Sequence, residues 1–112
     1  MPMTKTLGLM AVVVLLSACN TTYGPASALG GTGGYTDKKV GENQFYIESL
    51  TNVSTGPEKA LEYWHRRASE LCGGRQYTPD VKLQVYRNAN YAGLGMTSYH
   101  NWPLAVGTAT CQ

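Results

Sequence analysis

Residues 54–74 read STGPEKALEYWHRRASELCGG, and the period of this stretch decides the fold. Ala60, Leu61, Trp64, Ala68, Leu71 and Cys72 recur at intervals of three and four. That spacing lines them up on one face of an α-helix. Glu58, Lys59, Glu62, Arg66, Arg67, Ser69 and Glu70 occupy the remaining faces, with Glu62 and Arg66 spaced for an exposed i, i+4 pair. Thr55 with Glu58 three residues on reads as a capping box. Pro57 falls in the first turn, where a missing N–H costs little. Gly73-Gly74 supplies the stop. The helix therefore has one buried face, which needs a sheet to cover it.

Strand signals flank the helix. In GENQFYIESLTN, residues 41–52, Phe45, Ile47 and Ser49 alternate with Gln44, Tyr46 and Glu48, the period of a half-buried strand. Ser49 weakens the inward face near its end. In VKLQVYRN, 81–88, Val81, Leu83 and Val85 alternate with Lys82, Gln84 and Tyr86. LAVGTATC, 104–111, is β-branched and small and reads as a third strand. Between the last two lies NANYAGLGMTSYHNWP, 88–103, long for a structureless connection and therefore either a hairpin extension or a functional loop. The order is strand, helix, strand, strand. The expectation is an α+β domain of β-α-β-β order, one helix packed on a mostly antiparallel three-stranded sheet. Whether the first pairing after the helix is parallel stays open.

The N-terminus assigns a compartment. Lys5 is followed by an apolar run from Leu7 to Leu16 broken only by Gly8, the pattern of a secretory signal. A bilayer span needs about 20 apolar residues, and this run is half as long. Leu16-Ser17-Ala18-Cys19 then resembles the lipobox of bacterial lipoprotein signals. By that resemblance residues 1–18 are a signal peptide. Cys19 becomes the first mature residue, carrying a diacylglyceryl thioether and an N-acyl (palmitate-type) chain, and no other cofactor is expected. Asn20 stands where an Asp usually retains such proteins at the inner membrane. The resemblance therefore implies an outer-membrane anchor with the domain facing the periplasm of a Gram-negative cell.

Removing 18 of 112 residues leaves 94, one domain at most. Residues 19–36 contain the lipidated cysteine and the Gly-rich NTTYGPASALGGTGGYT, which reads as a flexible tether. Residues 37–112 would be the folded periplasmic domain. Lys5 leaves with the signal, so eight of the nine Lys/Arg face seven Asp/Glu. This balance lacks the basic stripe of a nucleic-acid binder. Cys72 and Cys111 remain as an even pair in an oxidising compartment and read as one disulfide. A redox-active thiol at Cys72 is the alternative, without a C-x-x-C to support it.

Three features together resemble a group of small uncharacterised bacterial lipoproteins: Gly34-Tyr35-Thr36, the Tyr-containing strand from Phe45 to Asn52, and Arg67-Ala68-Ser69-Glu70-Leu71-Cys72. The likeness covers roughly residues 33–74. It implies compartment and fold, and transfers no catalytic residue, because that family has no settled activity.

Candidate sites are few. His65 and His100 are the only histidines, and zinc would need further ligands, so no metal is expected. No G-x-S-x-G, ordered triad or P-loop occurs. Tyr91, Tyr99, His100 and Trp102, with nearby Asn residues, form a possible binding patch whose aromatic faces suit sugar rings or a protein. The plainer reading is that Trp102 folds back onto a small core. Arg66 and Arg67 beside Tyr63 could hold an anion or simply be a solvated helix face. The chain is thus expected to be a membrane-anchored, non-enzymatic interaction or structural module of the envelope. Its expected partners are the membrane and an envelope protein or peptidoglycan. Glycan binding through the loop aromatics is the first alternative and a thiol-dependent enzyme the second.

Overall fold

A computed structural model describes residues 20–29, 32–88 and 100–112. Strands β1 (Gly34–Gly41) and β2 (Gln44–Leu50) precede helix α1 (Pro57–Leu71), and β3 (Tyr77–Asn88) and β4 (His100–Cys111) follow it. A single 3-10 turn, Ala26–Ala28, comes before β1. The α+β class holds, but the sheet has four strands in the order β1-β2-β4-β3, not three. All three pairings are antiparallel, which resolves the pairing question. The first strand after the helix does not pair with the strand before it. The chain passes over to the far edge, and β4 returns to fill the gap.

The strand missing from the sequence reading is β1. Its sequence, GYTDKKVG, carries no apolar alternation. As an edge strand it pairs with β2 alone apart from one bridge between Tyr35 and Pro25, and its two lysines are of the kind that blunts an open edge. A two-residue connection with a bulge between Lys39 and Gly41 turns it into β2.

The helix covers one face of the sheet. Trp64 lies at the centre, fully buried, with Ala60 and Ala68 on its own helix and Ile47, Ala105 and Ala109 beneath. Its indole N–H donates to the Ile47 carbonyl at 2.9 Å, so the one polar atom of the largest core side chain is satisfied. Leu61, Leu71, Phe45, Tyr77 and Val81 pack around this group, as the stripe and the alternation require. Ser49 is buried on the same face. Its Oγ is the only buried side-chain polar atom among the described residues without a hydrogen-bond partner.

The helix ends differ from expectation at one side only. The N-cap is Gly56, at φ 89°, and no side chain caps it. The capping box fails because the Thr55 hydroxyl is engaged by Asn52 and by Thr21. At the other end Gly74 N–H donates to Ser69 O and Gly73 N–H to Glu70 O, a Schellman closure at positive φ. On the exposed face Glu62 pairs with Lys59 at 2.7 Å rather than with Arg66.

Cys72, at the helix C-cap, is bonded to Cys111 at the end of β4, with a Cα–Cα distance of 5.4 Å. Closing a 39-residue separation stabilises the fold by roughly 4 kcal/mol in the chain-entropy model. Both sulfurs are buried, so Cys72 has no free thiol for redox chemistry.

Gly107 is the tightest point of the sheet. It faces the helix between Ala105 and Ala109 and pairs with Val81 on β3 and Ile47 on β2. A Cβ there would lie 1.9 Å from Asp80 O and 2.6 Å from Val81 Cα, backbone atoms of the neighbouring strand. Only a hydrogen fits. Gly107→Ala is expected to push β3 away from β4 and to destabilise the domain by about 1–3 kcal/mol. Thermal unfolding followed by circular dichroism should show a fall in Tm on the order of 10 °C.

Candidate functional site: the N-terminal clasp and the hairpin arm

The described part of the Gly-rich stretch does not hang free. Thr21 is buried, and every polar atom it has is used. Its N–H donates to Thr55 Oγ1 at 2.7 Å, and its hydroxyl donates to Thr32 O. That hydroxyl also accepts from Asn52 N–H at 2.9 Å, and its carbonyl accepts from the Tyr63 hydroxyl at 3.1 Å. Within the stretch expected as a tether, residues 19–36, the described residues are packed. Thr21 and Tyr23 are laid against the helix and the turn after β2, and Gly24 to Ala28 lie along the start of β1. Glycine composition cannot tell a loose linker from a tight crossing. Here Gly33 sits at φ 123°, where a Cβ would meet Leu50 O at 2.4 Å, so its bare backbone permits close packing.

Aromatic rings and guanidinium groups complete the clasp. Tyr23 stacks at 5.2 Å from Tyr35 of β1 and edge-on at 5.5 Å from Tyr63 of α1. The Arg66 guanidinium lies 4.0 Å over the Tyr23 ring, and that of Arg67 lies 4.5 Å over Tyr35. Arg67 Nε also donates to Asp37 Oδ2 at 2.7 Å, with Glu70 at 3.5 Å. The Tyr23 hydroxyl donates to Glu70 Oε1. Burial, and then the adjoining Glu70 carboxylate, push the Tyr23 phenol far above its ordinary value. The two arginines considered as an anion site thus already face rings and carboxylates of this chain.

His65, the helical histidine, is structural. Its Nδ1 lies 2.8 Å from the Tyr77 hydroxyl, and its ring meets Trp64 edge-on at 5.1 Å. Among the described residues no three His, Cys, Asp or Glu side chains gather as a metal site.

The possible binding patch is divided. Tyr91 and Tyr99 lie outside the described residues. His100 and Trp102 belong to β4, not to a loop: the hairpin register continues through Tyr86↔Trp102 to Asn88↔His100. Residues 100–103 and 83–88 thus form a paired arm, a hairpin extension over its described length. By strand alternation Trp102 and Tyr86 share the face opposite the helix, since Ala105 and Ala109 face it. Trp102 therefore does not cap the helix-side core. Tyr86 is exposed, as are Leu83 and Val85 on the helix-facing side of the arm, where the helix no longer covers them.

Sequence reasoning missed Thr21, Tyr23 and Asp37. Their partners on the helix and in the turn before it are 30 to 47 residues away, and no local period marks them. No family model matches the chain, no curated protein matches its sequence, and no solved structure matches its fold.

The clasp has a titration signature. Tyr23 has a folded pKa above its unfolded value of 10, so its contribution to stability is complete below pH 10. It is lost as pH rises further, because the unfolded chain ionises first. Phenolate absorbance should show an ionisation step well above the ordinary tyrosine value, and Tyr23→Phe should delete that step.

Proposed function

We propose that the chain is a lipoprotein of the bacterial cell envelope, held by acyl chains on Cys19 and working as a non-enzymatic interaction module. The observation that carries this reading is the Cys72–Cys111 disulfide. A structural disulfide belongs to an oxidising compartment, which agrees with a secretory signal. It also leaves Cys19 as the one cysteine outside that pair, at the position where Leu16-Ser17-Ala18-Cys19 resembles a lipobox. Asn20 in place of Asp supports the outer membrane as destination, with the domain in the periplasm. Acylation would restrict the domain to a surface and raise its local concentration toward envelope partners, so weak contacts suffice. Among the described residues no helix is long and apolar enough to cross a membrane.

The test is Cys19→Ser in the full chain. The variant is expected to remain an untrimmed precursor, without acyl mass at its N-terminus. Trimming at the same bond, with continued fractionation in envelopes, overturns the reading.

A second reading, peptidoglycan binding, is favoured by the cross-strand pair Tyr86 and Trp102 on the projecting arm. Aromatic faces of this kind stack on sugar rings. Co-sedimentation with purified sacculi should weaken about tenfold in Trp102→Ala if one such contact contributes about 1.4 kcal/mol. An unchanged sedimented fraction removes this alternative.

A further inference from the structure

Thr21 limits how far the domain stands from its anchor. It is held by four hydrogen bonds, to Thr55, Thr32, Asn52 and Tyr63. Only Asn20 separates it from Cys19. Two residues of extended chain reach about 7 Å. The polar layer of one leaflet is about 5–7 Å deep, taking the hydrocarbon core from the full bilayer thickness. A domain whose first buried residue is so close to an acylated sulfur rests at the headgroups. It is not carried clear of them.

The surface next to Thr21 suits that position. The turn 52–55 wraps it: Asn52 N–H donates to its hydroxyl, and Thr55 Oγ1 accepts its N–H. Between those two contacts Val53 projects outward, 61% exposed, the second most exposed large hydrophobic after Val85 among the described residues. Beside the turn a shallow groove is lined by Asn20, Thr21, Thr22, Ser54 and Thr55, uncharged side chains that can hydrogen-bond to headgroups, with Lys59 and Tyr63. The nearest charges nearly cancel. Lys59 is paired with Glu62 at 2.7 Å, and Glu58 lies in the first helical turn.

We infer that the face formed by Thr21 and the turn 52–55 docks on the phospholipid surface, with Val53 inserted among the headgroups. This rests on the acylation of Cys19 proposed above. The consequence is orientation. The opposite end of the first hairpin points toward the periplasm. Val40 marks that far end. It is exposed and six residues along β1 from Gly34, about 20 Å at strand rise.

The experiment uses the full acylated chain in vesicles of phosphatidylcholine and phosphatidylethanolamine, with and without phosphatidylglycerol. A bimane label is placed on Val53→Cys or Val40→Cys, both exposed positions. Headgroup-spin-labelled lipid should quench the label at 53 and leave that at 40 unaffected. Because the rim is close to neutral, quenching should be the same in both lipid mixtures and in high salt. If wild-type binding requires Cys19 and the label at 53 stays as solvent-exposed as that at 40, the docking face is wrong and the anchor stands. Quenching at 53 that appears only with phosphatidylglycerol and vanishes with salt also overturns it, since an electrostatic surface would then hold the domain. If Cys19→Ser binds vesicles as well as the wild type, the anchor fails and the docking face falls with it.

Discussion

The fold depends on one wedge, Trp64 between the helix and the middle of the sheet. A domain of this size buries few side chains, so a single indole is a large part of its apolar burial. Its N–H takes the Ile47 carbonyl, which fixes the height and rotation of the helix over β2. Its bulk excludes large residues from the strand below, and β4 presents Ala105, Gly107 and Ala109 on that face. The same bare backbone at Gly107 lets β3 approach from the other side. Helix position, strand composition and the closeness of the β3–β4 pair are thus consequences of one side chain.

The two ends of the chain are tied to this centre by different chemistry. The C-terminal end of β4 is bonded covalently to the end of the helix, and Arg75 braces the joint by donating to Cys72 O and Gln112 O. The N-terminal segment is tied by hydrogen bonds to Thr21 and by the stack of Tyr23, Tyr35, Tyr63, Arg66 and Arg67. The disulfide restricts the unfolded chain, whereas the clasp is an arrangement of the folded surface alone. Its effect is positional. It converts what would be a loose leader into part of the body, so an acyl chain on Cys19 would set the attitude of the whole domain. The projecting arm, with Tyr86 and Trp102 on one side and Leu83 and Val85 on the other, leaves the sheet at that same end, where Thr51 N–H donates to Pro103 O at 3.1 Å.

Much of the architecture was legible in the residues, and the misses share a cause. The helix could be read because its apolar positions repeat every three or four residues. Strand β2 and most of β3 could be read because theirs repeat every two. The cysteine pair followed from counting once Cys19 was set apart. Strand β1 could not be read, because its helix-side positions are Tyr35, Asp37 and an exposed Lys39 and its one large aliphatic, Val40, is exposed, so no apolar rhythm results. The capping box at Thr55 was a sound local motif overridden by a distant residue, Thr21, which claims the same hydroxyl. Trp102 was assigned to a loop because Gly and Asn surround that region, yet strand pairing with Tyr86 carries it.

By itself the sequence determined the α+β class, the buried face of the helix, the partnership of Cys72 with Cys111 and the lipobox-like signature at Cys19. Each of these depends on residues close in the chain or on simple counting. Only the tertiary structure decided that β4 lies between β2 and β3, that β1 completes the sheet, and that the Gly-rich leader is clasped to the helix. The β2–β4 pairing joins residues more than 50 apart, and the clasp and the Asp37–Arg67 pair join residues 30 or more apart. Such contacts are selected by shape, by satisfied hydrogen bonds and by the space a bare backbone leaves. None of these writes a period into the chain.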